Sequence, residues 1–324
     1  MPFVRMPGVT GKVYVPEEQP RDKKKHNCKD CFACQHCSDD RCNLCREKKP
    51  CQKERKKMNN IKDIVHVCIK FGMLGEKRLE QFLREGIRPE IAIHGGVLDS
   101  VPLSEFRRIA ELFRSRGLAM TLHGPFIDMS PGSEDTLIRA ASRQRFEQLL
   151  KLIPVFQPRS VVCHAGYDEK RYGFFRETWL ENSLAFWQWF AGRLQDAGTR
   201  LMLENVYEHY PENIRILFEN LQKYGAGFCL DIGHCKVFSR SSLKTWLESL
   251  GTFLGQLHLH DNAGLQDEHL APGKGTLDFP FLFQWLKEHR DRPPLITMET
   301  HREADLYPGL TYLQKIWPWE PLSL

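Results

Sequence analysis

From residue 61 onward, eight short apolar runs alternate with amphipathic stretches of helical period, and no other feature constrains the fold as strongly. The runs are DIVHVCIKF, RPEIAIHGG, LAMTLHGPF, SVVCHAGY, RLMLENVY, GAGFCLDIG, LGQLHLHD and PLITMETH. Between them lie segments such as LSEFRRIAELFRSRG, in which Phe106, Ile109, Ala110 and Phe113 share one helical face. Gly86, Gly117, Gly198 and Gly225 stand where helix C-caps belong. Eight strands alternating with helices predict an α/β fold, a (β/α)8 TIM barrel. The rival is an open doubly wound sheet, which would draw its ligands from fewer strands.

The exits of these runs carry the chemistry. His123, His164, Glu204, Asp231, His234, His258, Asp267, His269 and Glu299 could all bind metal, and most of them close a run just before a turn former. A core histidine has no reason to recur at the exit of strand after strand. A barrel places its chemistry at the C-terminal ends of its strands, so a metal cluster there explains the pattern. For His123, His164, His234, Asp267 and His269, the competing reading is contact with substrate or support behind the ligands. His94 and His301 also fall near strand ends, as substrate-contacting or structural groups, whereas His66, His209 and His289 read as incidental. Tyr167 and Arg171 follow the fourth run. With His260 and Lys274, they are the candidate substrate-binding residues.

The chain before the barrel is different in kind. Seven of the 11 cysteines (Cys28, Cys31, Cys34, Cys37, Cys42, Cys45 and Cys51) fall in one segment with almost no apolar residues. Such a segment cannot fold by burial, and two-residue spacings let thiolates converge on one ion or cluster. Zinc, an iron–sulfur cluster, and disulfides or disorder remain open as readings. Cys68, Cys163, Cys229 and Cys235 read as small buried apolar residues. The boundary is expected at residues 57/58, giving a Cys-rich metal-binding segment over 1–57 and the barrel over 58–324.

Charge separates the same two parts. Residues 1–57 hold 15 Lys and Arg against 8 Asp and Glu, while the rest holds 31 against 33. The surplus of cations therefore belongs to the tail, whose basic runs fit a nucleic acid or an acidic partner, or a solvated linker. The barrel itself lacks the positive charge of a protein that grips many phosphates. No apolar stretch reaches the ~18 residues of a membrane span. The first residues lack the apolar core of a signal peptide, so a cytoplasmic location is expected.

The order of motifs resembles the xylose-isomerase-like TIM barrel superfamily, over essentially all of residues 61–317. Within it, the ligand set is similar to that of endonuclease IV, which holds three zinc ions. His123 and His164 match that family's first two histidines, and Glu204-Asn205 its Glu-Asn pair. Cys229 to His234 match C-L-D-x-x-H, and His258 to Asp261 match H-L-x-D. Asp267 and His269 precede Gly273 and Gly275 as D-x-H precedes G-x-G, and Glu299-Thr300 match the final pair. The DNA-gripping loops have no counterpart here, since IAIHGGVLDSVP reads as a compact turn. His260 stands in place of Asn and Lys274 in place of Glu. These departures argue against duplex DNA as substrate. The sugar phosphate isomerases and epimerases share Glu204, Asp231, His258 and Glu299 as a one-metal set, with both glutamates working as acid and base.

Two chemistries follow from these resemblances. Hydrolysis of a phosphoester at a polynuclear site, with two or three zinc ions (or manganese or iron), would use all nine ligands. A one-metal isomerase or epimerase acting on a sugar or sugar phosphate needs only the four, with Glu204, Glu299 and His258 as its catalytic groups. The hydrolase is the main expectation and the isomerase its alternative. A non-enzymatic binding role led by the cysteine segment is the third reading.

Overall fold

A computed structural model gives the structure of the chain and describes residues 3–4, 10–11, 13–14 and 61–319. The chain divides into two compact units, Met1–Lys57 and Met58–Leu324. In the first, the described residues include two short antiparallel strands, Phe3–Val4 and Val13–Tyr14. Cys28, Cys31, Cys34, Cys37, Cys42, Cys45 and Cys51, with the basic runs around them, lie outside the described residues.

In the second unit every apolar run contributes a strand. These are β1 (Val65–Lys70), β2 (Arg88–Ala92), β3 (Thr121–His123), β4 (Ser160–His164), β5 (Arg200–Glu204), β6 (Gly227–Asp231), β7 (Leu254–Leu259) and β8 (Leu295–Met298). All neighbours are parallel, and β8 closes on β1, so the sheet is a barrel rather than an open one. Parallel strands need crossovers, and the amphipathic segments supply them as helices outside the barrel. Leu103–Ser115 is one of these, with Phe106, Ile109, Ala110 and Phe113 buried. Gly86, Gly117, Gly198 and Gly225 all have φ near +70°, a region only glycine adopts freely, so the predicted helix ends are where the chain turns.

Two local expectations change. The segment after β2 is not a bare turn: Gly95–Ser100 forms a six-residue helix. The long helical stretch after β3 divides into Thr136–Leu150 and Ile153–Phe156, the second with Pro154 in its first turn, where a missing N–H costs nothing. Among the described residues, no helix is long and apolar enough to cross a membrane.

Side chains alternate along a strand, so each strand sends every second residue into the barrel. The outward residues pack with the helices into one large core that includes Trp179, Trp187, Trp246, Phe113 and Phe190. The inward residues include a small apolar cluster, Val162, Met202 and Cys229. Alongside it is a buried polar group: Glu90, Thr121, Ser160, Gln256 and Thr297. The metal-type residues of the strand ends lie above this layer.

Candidate metal centre at the barrel mouth

Strand register brings the predicted ligands together. His164 pairs with Glu204 across β4–β5, and Asp231 with His258 across β6–β7. Glu204 is the hub. Its Oε2 lies 3.2 Å from His123 Nε2 and 3.7 Å from His164 Nε2, and its Oε1 lies 3.3 Å from His234 Nδ1 and 3.2 Å from His258 Nδ1. Glu299 Oε2 meets His258 Nδ1 at 3.1 Å. On the far side, Asp267 Oδ2 lies 3.0 Å from His269 Nε2 and 3.3 Å from His234 Nε2.

Three donor groups result, each with its ligand atoms within 4.8 Å of one another: Glu204, Asp231, His258 and Glu299; His123, Glu204 and His258; and His234, His260, Asp267 and His269. The donors suit a divalent cation. Asp231 Oδ2 and Asp267 Oδ1 are buried acceptors with no hydrogen-bond partner, a costly arrangement that a cation would relieve.

The surrounding motif residues explain how the site is held. Asn205 donates from Nδ2 to the Asp231 carbonyl and accepts the Asp231 N–H, both at 2.9 Å, which locks the exits of β5 and β6 together. Asp231 also caps the helix Ile232–Phe238 by accepting the His234 N–H at 2.7 Å, which fixes two candidate ligands at once. The loop carrying Asp267 and His269 is folded around Asp261, whose carboxylate accepts N–H groups from Gly273 (3.0 Å) and Gly275 (2.8 Å). A Cβ at Gly275 would fall 2.3 Å from Asp261 Oδ1, so only glycine fits. His269 itself has φ +48°, a strained setting for a non-glycine residue of the kind that collects at functional sites.

Electrostatics follow from this crowding. Burial opposes charge on Glu204, but His258, His123 and His234 overcome it and hold its carboxyl well below the usual range. Glu299 is likewise lowered, against burial, by His258 and His269. Burial pushes the His164 imidazole down to about 3, with the cationic character of His123 and His234 adding to it and Glu204 opposing.

A cavity of about 1340 Å³ opens over this centre. Glu204, Glu299, His123, His164, His234, Asp267 and His269 line it, while Asp231, His258 and His260 sit behind them. Tyr167 and Arg171 also reach the cavity; the Tyr167 hydroxyl donates to Glu169 (2.6 Å) and Arg171 Nη2 to Ser130 Oγ (3.2 Å). The other two candidate substrate contacts lie elsewhere. Lys274 is not on the cavity wall and pairs with Asp305. His260 is fully buried, 3.1 Å from Asp231 Oδ1, in space that any side chain at Gly233 would fill. Its ring stacks on His269, which stacks in turn on His301.

Some cysteines and acids depart from expectation. Cys163, Cys229 and Cys235 are buried as expected, but Cys68 is partly exposed on the cavity wall, its Sγ 3.7 Å from Glu299 Oε1. Glu208 stands out in no sequence motif, yet it lines the cavity and accepts the Val206 N–H (2.6 Å) and the Tyr167 N–H (3.2 Å). Burial pushes its carboxyl up to about 7, against those N–H groups. Glu90 escapes sequence reasoning too, as an acid in mid-strand with no motif around it. It contacts His258 Nε2 at 2.9 Å from below.

Residues 90–316 match the profile of the xylose isomerase-like TIM barrel family, and the chain belongs to that family. The protein MJ1311 of Methanocaldococcus jannaschii is 25% identical over 176 residues, which are 52% of this chain and 60% of that protein. MJ1614 of the same organism is 27% identical over 173 residues, 52% of this chain and 66% of its own. The chain thus spans about three fifths to two thirds of the length of these relatives. Among solved structures, the TTHB071 protein of Thermus thermophilus, soaked with ZnCl2, is similar with a TM-score of 0.66 and 25% identity over 78% of this chain and 97% of that one. A D-tagatose 3-epimerase-like protein gives 0.68 at 20% identity over the same shares. D-psicose 3-epimerase in the presence of D-fructose gives 0.59 at 17% over 73% and 85%. These last two likenesses are of fold.

Proposed function

We propose that the barrel is a metal-dependent isomerase or epimerase acting on a small sugar or sugar phosphate. The observation that carries this reading is the convergence of Glu204, Asp231, His258 and Glu299, one donor atom from each within 4.8 Å of the others, at the base of a large cavity. The names of the D-tagatose 3-epimerase-like protein and D-psicose 3-epimerase, which share the fold, support it over the hydrolase.

A divalent ion held by these four residues supplies Lewis acidity to a substrate carbonyl or hydroxyl oxygen. Glu204 ends β5 and Glu299 follows β8, so their carboxylates reach the same point from different sides of the barrel. One carboxylate would take a proton from the carbon beside the carbonyl, and the other, after taking a proton from solvent, would deliver one to the opposite face, leaving the first to release its proton to solvent. Tyr167, Arg171 and Glu208 offer polar contacts on the wall, with Arg171 suited to an anionic group.

The test is to incubate metal-loaded protein with ketohexoses and their phosphates in D2O and follow deuterium entry beside the carbonyl by NMR. Exchange with at least one member is expected. No exchange anywhere in the panel, together with release of phosphate from phosphoesters, would refute this reading.

The phosphoester hydrolase remains as a second reading because of one observation, the further donor group of His234, Asp267 and His269 with His260 beside it. Under it the barrel holds two or three ions, zinc above all, and His269→Ala lowers both the metal count and the turnover of a phosphoester. Under the isomerase reading the inner ion and the exchange reaction survive that change. The charge balance of the barrel argues against duplex DNA in either case. For residues 1–57 we propose a separate segment whose seven cysteines take zinc or an iron–sulfur cluster, and whose basic runs meet a nucleic acid or acidic partner.

A further inference from the structure

Among the described residues of the barrel interior, Glu90 is an acidic side chain that the proposed chemistry does not use. It is fully buried on β2 and does not reach the cavity. An isolated carboxylate there would be very costly, so its surroundings must repay the burial. One oxygen is saturated. Oε2 accepts from Thr121 Oγ1 (2.8 Å), Thr297 Oγ1 (2.9 Å) and Gln256 Nε2 (2.7 Å). Ser160 completes the shell by donating to Gln256 Oε1 at 2.6 Å, which fixes the orientation of that amide.

The other oxygen has a different role. Oε1 lies 2.9 Å from His258 Nε2, an ion-pair contact off the imidazole N–H direction, and neither atom makes a hydrogen bond to any other group, so each is the other's nearest polar neighbour. The opposite ring nitrogen, Nδ1, faces Glu204 and Glu299 at 3.2 and 3.1 Å. The Cys229 thiol also lies against this ring, and sulfur is a weaker hydrogen-bond acceptor than a carboxylate oxygen.

We infer that Glu90 is a positioning residue that holds the His258 proton on Nε2 and so leaves the Nδ1 lone pair free for the metal. The inference rests on His258 being a ligand, as proposed above. Only an acceptor-only group can do this from below. Three donors already claim Oε2, so Glu90 cannot turn to present anything but its second oxygen to the imidazole. A carboxylate behind a ligand histidine also raises its basicity and fixes its ring plane.

Glu90→Gln separates this from a structural role. In the orientation that preserves the three donors to the first oxygen, the new NH2 faces His258 Nε2 and forces the ring proton onto Nδ1, where it blocks the ligand position. In full-length protein whose seven cysteines from Cys28 to Cys51 are changed to Ser, so that only the barrel competes for the metal, zinc affinity measured with a chromophoric chelator should fall about 10–100-fold. In the zinc-loaded wild type, 15N-edited NMR should show an exchange-protected His258 Nε2–H at low field, and Glu90→Gln should lose it. A merely structural role would move neither signal. Unchanged zinc affinity in Glu90→Gln, with the wild type binding zinc normally, overturns the inference and leaves the metal site intact. A wild-type His258 that binds zinc through Nε2 overturns it even if the variant fails to fold. A wild type that takes up no zinc at the barrel overturns the metal site and this inference together.

Discussion

The mouth of the barrel and the layer directly beneath it are made from the same strands, yet they follow opposite rules. Beneath, Glu90 Oε2 has three donors and Gln256 is held at both ends of its amide, and apart from His66 the atom left without a hydrogen bond in this group is Glu90 Oε1, which faces His258. At the mouth, Asp231 Oδ2 and Asp267 Oδ1 are buried without a partner, and His269 sits in a strained backbone region. A polar network of the first kind stabilises a unique core. An arrangement of the second kind costs stability and is kept where a ligand completes it. On the function proposed above, the lower layer would hold the fold and the upper one the chemistry, with the Glu90–His258 contact between them.

The largest test of this division is Glu299→Gln. It removes a charge from the mouth while keeping shape, so activity should fall on the order of 1000-fold as a ligand and proton carrier is lost. Folding, followed by far-UV circular dichroism, should be unaffected. Near-normal turnover would show that the mouth is not the active site.

A test of intermediate size concerns His66, which lies at the entry of β1, is fully buried, and makes no well-aligned hydrogen bond at either ring nitrogen, with the Ile296 backbone nearby as a weak partner. It is an exception to the paired lower layer. Burial pushes its pKa down to about 4, with Arg88 and Arg159 adding to the effect and Glu90 opposing it. The unfolded chain takes up this proton near its ordinary value of about 6.5. Stability is therefore full above that pH and falls as the pH drops toward 4. The loss between pH 7 and pH 5 is about 2 kcal/mol. Urea unfolding at both pH values should show that part of the acid sensitivity disappear in His66→Leu. An equal drop in both proteins would mean that His66 is not a buried neutral base.

The smallest effect is expected for Thr297→Val in the lower layer. The change keeps volume but removes one donor to Glu90, and should cost about 1–2 kcal/mol of stability. Metal stoichiometry at the Glu204, Asp231, His258 and Glu299 group should be unchanged. If activity fell more than stability, the two layers would be less separable than the hydrogen bonds imply.

Most of the architecture was legible in the chain. The eight apolar runs became eight strands because a period-two or continuous apolar run bounded by turn formers has few other uses. The glycines at positions 86, 117, 198 and 225 marked helix ends because only glycine takes their backbone angles easily. The six-residue helix after β2 was harder to see, since GGVLDS opens on two poor helix formers.

The candidate site was legible residue by residue but not as a geometry. Strand-exit position and residue type marked the nine metal-type residues, because a barrel gathers all its strand ends on one face. The sequence also carried the Asn205 and Asp261 positions, though not their work of tying strand exits and folding a loop.

Other assignments were decided only by the tertiary structure. His260 and Lys274 looked alike as polar residues near β7 and its loop, yet one is buried against Asp231 and the other pairs with Asp305. Glu90 and Glu208 carry no sequence signal, because the partners that give each a purpose are brought close only by folding. Thr121, Gln256, Thr297 and His258 lie 31 to 207 residues from Glu90 along the chain. Local pattern fixes which face of a strand a residue occupies. Closure of the barrel alone decides what it meets there.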